Sequence, residues 1–371
     1  MYRKILDLLR QGQSVAVATV TAARGSTPRE LGAKMLVVGE GQITGTVGGG
    51  CGEAQVLWDA VRCLAEARPR MSVVDLTGEI TEESPTHCGG LLEVFIDPML
   101  PADPHRPELP SLRLAELLAE AVERREPVVL ATLVATPDPA RFPLGIRAVV
   151  WSGREEGVGR LPGGPRILER ASRAMAEGRS CRISVPVEGG TGEAAVMLEV
   201  LAPPEELVIV GAGHIAVPLA RMAKVLDFEV TVIDDRSAFA NPARFPEADR
   251  VIAADIEKTV ADLPIGPNTY LVLVTRGHTL DQAALMRVIH KPAAYFGMIG
   301  SQRRVRAVLD HLRRMGVAAE HIQRVHAPIG LRIGAETPAE IATSILAELV
   351  AVRRKTRTTH RPGHSALTQR Q

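Results

Sequence analysis

The stretch LVIVGAGHIA, Leu207–Ala216, constrains the fold more than any other. An apolar run enters a glycine-spaced turn at once, and an apolar pattern of helical period follows to about Leu226. A second apolar run, Glu229–Ile233, ends in Asp234-Asp235-Arg236. Gly211 and Gly213 fill the first two glycine places of the dinucleotide fingerprint, with Ala216 in the third and Asp234 at the spacing of a ribose-binding acid. Glycines there let the backbone approach a pyrophosphate, which the amino end of the next helix favours electrostatically. Further apolar runs at Arg250–Ala253, Tyr270–Thr275, Tyr295–Ile299 and around Val325 alternate with helical segments. The rhythm predicts a Rossmann-like doubly wound parallel sheet over 206–352. Its last helix starts at the capping box Thr337-Pro338-Ala339-Glu340 and runs to about Val352. A dinucleotide or nucleotide is the ligand such a loop is built for, although the fold also exists without one.

Residues 1–202 have another pattern, an α/β domain with an internal duplication. A helix over 2–11 precedes the apolar strand Ser14–Ala22, SVAVATVTA. Thr27, Pro28 and Glu30 then read as the start of a short helical turn. Strands are expected at Lys34–Val38, Ile43–Val47, Ser72–Leu76 and Leu91–Asp97, with a helix after Cys51. A proline-rich connector, Asp97–Pro110, separates this half from a second that repeats it. PVVLATLVATP echoes SVAVATVTA, LPGGPRILERASRAMAEGR echoes VGGGCGEAQVLWDAVRCLAEAR, and VMLEVLAPP echoes LLEVFIDPM. The halves are about 1–98 and 111–202, and Ala202–Glu206 links them to the parallel sheet.

The candidate chemistry lies in the first half. Gly48, Gly49 and Gly50 lead into Cys51 at a helix start, where unpaired N–H groups favour an anion: a ligand phosphate or the cysteine's own thiolate. Cys88, in THCGG, is the other cysteine in a glycine setting, beside His87. Arg24, Arg29 and Lys34 are placed to add positive charge near the elbow. Cys63 and Cys181 read as inert core residues, and no CxxC pair supports a structural zinc site. The second half keeps the scaffold but has neither the elbow cysteine nor a CGG. In the parallel sheet, His214, His278 and His326, with Arg236 and Arg276, each follow a predicted strand. That places them at the carboxyl edge, as a polyanion pocket or, less well supported, a three-histidine metal site.

A net charge of +1 and 3% aromatic residues give no field or stacking platform for nucleic acid. No run approaches the roughly twenty apolar residues of a membrane span, and the amino terminus lacks a signal peptide's apolar core. A cytoplasmic protein is expected. Arg353–Gln371 is basic and aperiodic, and reads as a disordered tail.

Taken in order, ARGSTPRELGAKM, GTVGGGCGEA, HCGG, GAGHIA, YLVLVTRGHTLDQ, YFGMIGSQRR and HAPIGLRIGAETPAEIA resemble the XdhC/CoxI family of xanthine dehydrogenase accessory factors. The resemblance spans about residues 12–350. It implies a chaperone that binds molybdenum cofactor (molybdopterin), works with a cysteine desulfurase while the metal gains its sulfido ligand, and passes the cofactor to an apo molybdenum hydroxylase. It also implies that Cys51 and Cys88 contact molybdenum or carry sulfur. A cofactor-binding factor, homo-oligomeric, is thus expected rather than a turnover enzyme. The competing reading is an NAD(P)-dependent oxidoreductase that uses the GAGHIA loop.

Overall fold

The computed structural model describes residues 1–25, 30–39, 41–48, 50–75, 90–187 and 189–358; the side chains of 50, 51 and 355–358 fall outside that description. Cys88, Arg29, Gly49, the turn expected at Thr27–Pro28 and the end of the basic tail therefore lie outside the described residues. The chain divides into two compact units, Met1–Pro203 and Pro204–Gln371.

The first unit opens with α1 (Tyr2–Arg10), β1 (Val15–Gly25), β2 (Lys34–Val38), β3 (Gln42–Gly45), α2 (Gly50–Glu66), β4 (Arg70–Asp75) and β5 (Gly90–Met99). It continues with α3 (Ser111–Glu123), β6 (Val128–Ala135), β7 (Arg147–Trp151), β8 (Arg154–Glu156), α4 (Gly164–Glu177), β9 (Cys181–Pro186) and β10 (Glu193–Leu201). The two halves build antiparallel sheets of the same order, β3-β2-β1-β5-β4 and β8-β7-β6-β10-β9. Register matches too: Thr19 pairs Lys34 in the first sheet as Thr132 pairs Arg147 in the second. The continuous apolar run of β1 is explained by burial on both faces. Ala16, Ala18 and Val20 pack with Val56, Ala60 and Cys63 of α2, while Val15 and Val17 turn to a core shared with α1, α3 and the second sheet.

The second unit holds β11 (Glu206–Val210), α5 (Ala216–Val225), β12 (Glu229–Asp234), β13 (Arg250–Ala253), α6 (Ile256–Asp262), β14 (Thr269–Leu273) and α7 (His278–Val288). β15 (Tyr295–Met298), α8 (Gln302–Arg314), α9 (Ala319–Gln323), β16 (Val325–His326) and α10 (Pro338–Thr358) complete it. Every pairing is parallel and the order is β13-β12-β11-β14-β15-β16. Numbered within the unit, that is 3-2-1-4-5-6, the doubly wound dinucleotide-binding topology. Leu207 and Ile209 face one core, with α5 and α10; Val208 and Val210 face the other, with α6, α7 and α8. The capping box forms as expected: Glu340 Oε2 accepts the Thr337 amide (3.0 Å), and Thr337 Oγ1 accepts the Glu340 amide (3.3 Å). α10 then runs past Val352 to Thr358, and Arg353 pairs with Glu205 and lies 4.3 Å over the Phe228 ring. Among the described residues no helix is long and apolar enough to cross a membrane.

Candidate functional site

Strand pairing gathers the first half's chemistry-bearing segments at one end of its sheet. β1 ends at Gly25, which pairs with Gly90, the first residue of β5; Arg24 pairs with Leu91, and Asp75, the last residue of β4, pairs with the same Leu91. The end of β1, the end of β4 and the start of β5 therefore lie together at this end. β3 also exits here, since Gly45 pairs with Met35 beside the start of β2. The glycine elbow follows, and α2 begins at Gly50, with Cys51 in its first turn. Thr46 organises the approach: its Oγ1 accepts the Gly48 amide (3.1 Å) and donates to Glu53 Oε2 (2.6 Å). Arg24 is exposed. In the second half α4 starts at the equivalent Gly164, but Pro165 stands where the first half has Cys51.

Lys34 does not serve the elbow. Its side chain turns between the sheets, where Nζ lies 2.6 Å from Glu199 Oε2 and donates to Thr19 Oγ1 (2.8 Å). Tyr2 donates to the same Glu199 (3.0 Å). Arg147, at the equivalent register position, is also buried and bridges Asp97 (3.0 Å) and Asp103 (3.1 Å). Each half thus sends a cation into the shared interior to meet a carboxylate, and Lys34–Glu199 and Arg147–Asp97 both cross between halves. The cavity around them is about 40 Å³, room for a water or two and far below what a pterin needs. The missed signal was the repeat itself: LGAKM and LGIRA place a cation after the same glycine.

Cys63 and Cys181 behave as core residues. Burial pushes the Cys63 thiol up to about 12, and Cys181 is raised for the same reason. Among the described residues no group of three or more His, Cys, Asp or Glu could hold a metal, which leaves the three-histidine site without support.

At the carboxyl edge of the second unit, Gly211 has φ +105°, and a Cβ there would lie 2.6 Å from the Val274 carbonyl oxygen. This glycine serves the packing of β11 against β14. Around Gly213 nothing lies within 4 Å of an added Cβ, so the approach to the loop is open. His214 is exposed in the loop, His278 opens α7, and both follow a strand as expected. His326 instead lies inside β16, its ring 4.5 Å from that of Tyr295 and its Nδ1 3.2 Å from Glu348 Oε1. Glu348 also accepts Tyr295 Oη (2.5 Å) and the Gly330 amide (2.8 Å). Burial would raise that carboxyl, but these bonds outweigh it and lower it. His326 is thereby committed to a local structural cluster.

Asp234 is held by its own neighbours. Its oxygens accept the Ala212 amide (2.8 Å), the Arg236 amide (3.0 Å) and two Arg236 guanidinium bonds (2.8 and 2.9 Å). Burial alone would raise it, yet these bonds hold it well below the usual carboxylate range. Arg276 grips Asp235 through both carboxylate oxygens, at 2.5 and 2.7 Å.

Comparison with known proteins bears on both units. The XdhC and CoxI family model matches residues 8–76, and the XdhC Rossmann domain model matches 207–349. The chain belongs to the XdhC and CoxI family. Among curated relatives, the uncharacterized protein YqeB of Escherichia coli is 27% identical over 95% of this chain, which spans 46% of that relative's length. A Bacillus subtilis protein named as a probable xanthine dehydrogenase subunit is 25% identical over 95% of this chain and 98% of its own. The molybdenum cofactor insertion chaperone PaoD of Escherichia coli is 23% identical over 95% and 87%. A crystal structure titled as a xanthine dehydrogenase from Bacillus halodurans shares the fold, with a TM-score of 0.72 and 24% identity over 96% of this chain and 98% of that one. The two family models thus fall one on each unit.

Proposed function

We propose that this XdhC/CoxI protein is a maturation factor for molybdenum hydroxylases. It takes molybdenum cofactor as cargo, holds it while a cysteine desulfurase supplies the terminal sulfido ligand, and delivers it to an apo enzyme of the xanthine dehydrogenase type. The observation that carries the reading is the convergence, at one end of the first sheet, of the helix start that opens α2 with Cys51, the end of β1 with Arg24, and the start of β5 at Gly90, two residues after Cys88 in the sequence. A thiolate suits a soft, sulfur-ligated metal, and a helix start with nearby arginine suits the cofactor's phosphate. The relative named as a molybdenum cofactor insertion chaperone supports the same role.

The second unit is proposed to bind a nucleotide, on the strength of its 3-2-1-4-5-6 order and the open approach at Gly213. A nicotinamide oxidoreductase would turn over, whereas a carrier activates its client in stoichiometric amounts. The test of the carrier is Cys51→Ala, read as molybdenum retained by the purified chain and as activation of an apo-hydroxylase. Both should fall to background while the circular dichroism stays that of the wild type. Wild-type values of both would remove Cys51 from the mechanism.

A further inference from the structure

A ribose-binding acid works by offering carboxylate lone pairs to the 2′- and 3′-hydroxyls of a nucleotide. A carboxylate has about four such sites. Asp234 has filled four: Oδ1 accepts the Arg236 amide and Nε, and Oδ2 accepts the Ala212 amide and Arg236 Nη2. Its side chain is 2% exposed, whereas that of Arg236 is 33% exposed and that of Arg276 is 46%. What the chain presents beside its glycine loop is therefore guanidinium.

Arg236 is built to stay in place. Its guanidinium carbon lies 3.7 Å from the centre of the Phe239 ring, and Arg244 packs on the same ring at 4.9 Å. Arg244 is tied in turn to the Ala212 carbonyl (3.0 Å) and the Phe239 carbonyl (2.9 Å). Of the five guanidinium N–H groups of Arg236, two are used on Asp234. The other three have no hydrogen-bond partner among the described residues. Arg276, fixed on Asp235, stands with Nη1 3.9 Å from the same Asp234. A planar fork held on one side by a carboxylate and below by an aromatic face is the arrangement that recognises a phosphate bidentately.

We propose that Arg236 and Arg276 form a phosphate-reading position next to the glycine loop, so that the second unit selects a nucleotide phosphorylated on its ribose over one with a free 2′,3′-diol. Asp234 is the positioning residue that aims Arg236 and ties it to the loop through the Ala212 amide. The inference rests on the proposal that the loop binds a nucleotide.

The experiment is calorimetric titration of the full-length chain with four probes: NADP⁺, NAD⁺, adenosine 2′,5′-bisphosphate and adenosine 5′-monophosphate. The 2′-phosphorylated member of each pair should bind more tightly, by roughly ten- to a hundred-fold. Arg236→Gln should erase the preference for the 2′-phosphorylated member of each pair; Arg236→Lys should restore only part of that preference, since a point charge lacks the fork. Equal affinities in the wild type, or tighter binding of NAD⁺ through the part-exposed Asp235, would overturn the proposal while leaving the nucleotide reading intact. A preference that survives both Arg236→Gln and Arg276→Gln would overturn the assignment to these arginines. Failure of all four probes to bind would overturn the nucleotide reading, and this proposal with it.

Discussion

Lys34 and Arg147 show how a side chain's role is decided by register rather than by residue type. Both open the second strand of their sheet, opposite Thr19 and Thr132, and both therefore point to the face shared between the halves. The sequence placed Lys34 near the glycine elbow in the chain, and its backbone is near: an added Cβ at Gly45 would meet the Lys34 carbonyl oxygen at 2.5 Å. Alternation along the strand sends the side chain the other way, to Glu199. With Lys34 6% exposed and Glu199 10% exposed, removing one partner leaves a buried charge without its counterion. Lys34→Met should cost about 3–5 kcal/mol in urea unfolding. The double variant Lys34→Met/Glu199→Leu should recover part of that loss, because no unpaired carboxylate remains. Equal losses in the single and double variants would mean that the loss does not come from the carboxylate left unpaired.

Between two glycines of one loop the demands differ, and this belongs to the scale of the β11–α5 element. Gly211 sits at φ +105° against the backbone of β14, so Gly211→Ala is strained by conformation and by collision with the Val274 carbonyl. Melting of the second unit should show a loss of roughly 1–3 kcal/mol or more. Gly213 has open space before it. Gly213→Val should leave the melting profile near that of the wild type and abolish nucleotide binding; retained affinity would show that no pyrophosphate passes that point. The fingerprint itself was legible, as were the strand runs, the capping box and the duplication, because local periodicity and turn chemistry encode them. The division of labour between the glycines was not. It depends on how closely β14 passes, and that distance is set by the sheet order. Asp234 is a similar case: spacing identified the acid at the end of β12, but its four donors come from the folded loop and from Arg236. His326 ends up beside Tyr295 and Glu348 because β16 is a two-residue edge strand, too short for its position relative to the sheet edge to be read from the sequence.

Across the whole molecule, carboxyl groups lowered by buried or part-buried hydrogen bonds mark the second unit: Asp234, Asp249 and Glu348. In each case burial raises the carboxyl, and bonds from cations, side chains or backbone amides more than reverse it. A lowered folded-state value means that the stabilisation is present above the unfolded value, about 4, and is lost as pH falls through the folded one. Asp281 acts in the opposite sense. It is raised by burial despite its bonds to Thr275 and Arg304, so acid relieves part of its cost, but it is one group against three. In the first unit Glu66 is lowered by its bond to Arg62, on a surface where solvent screens the pair. The two tryptophans of the chain, Trp58 and Trp151, both lie in the first unit, which supplies a separate optical signal for it. Acidification below about pH 4 should therefore reduce the helical ellipticity contributed by the second unit, with tryptophan emission followed beside it as the signal of the first. Asp234→Asn should flatten the acid limb of the ellipticity curve, because the asparagine side chain does not titrate. Coincident loss of both signals, unchanged in Asp234→Asn, would place the acid-sensitive groups elsewhere in the chain.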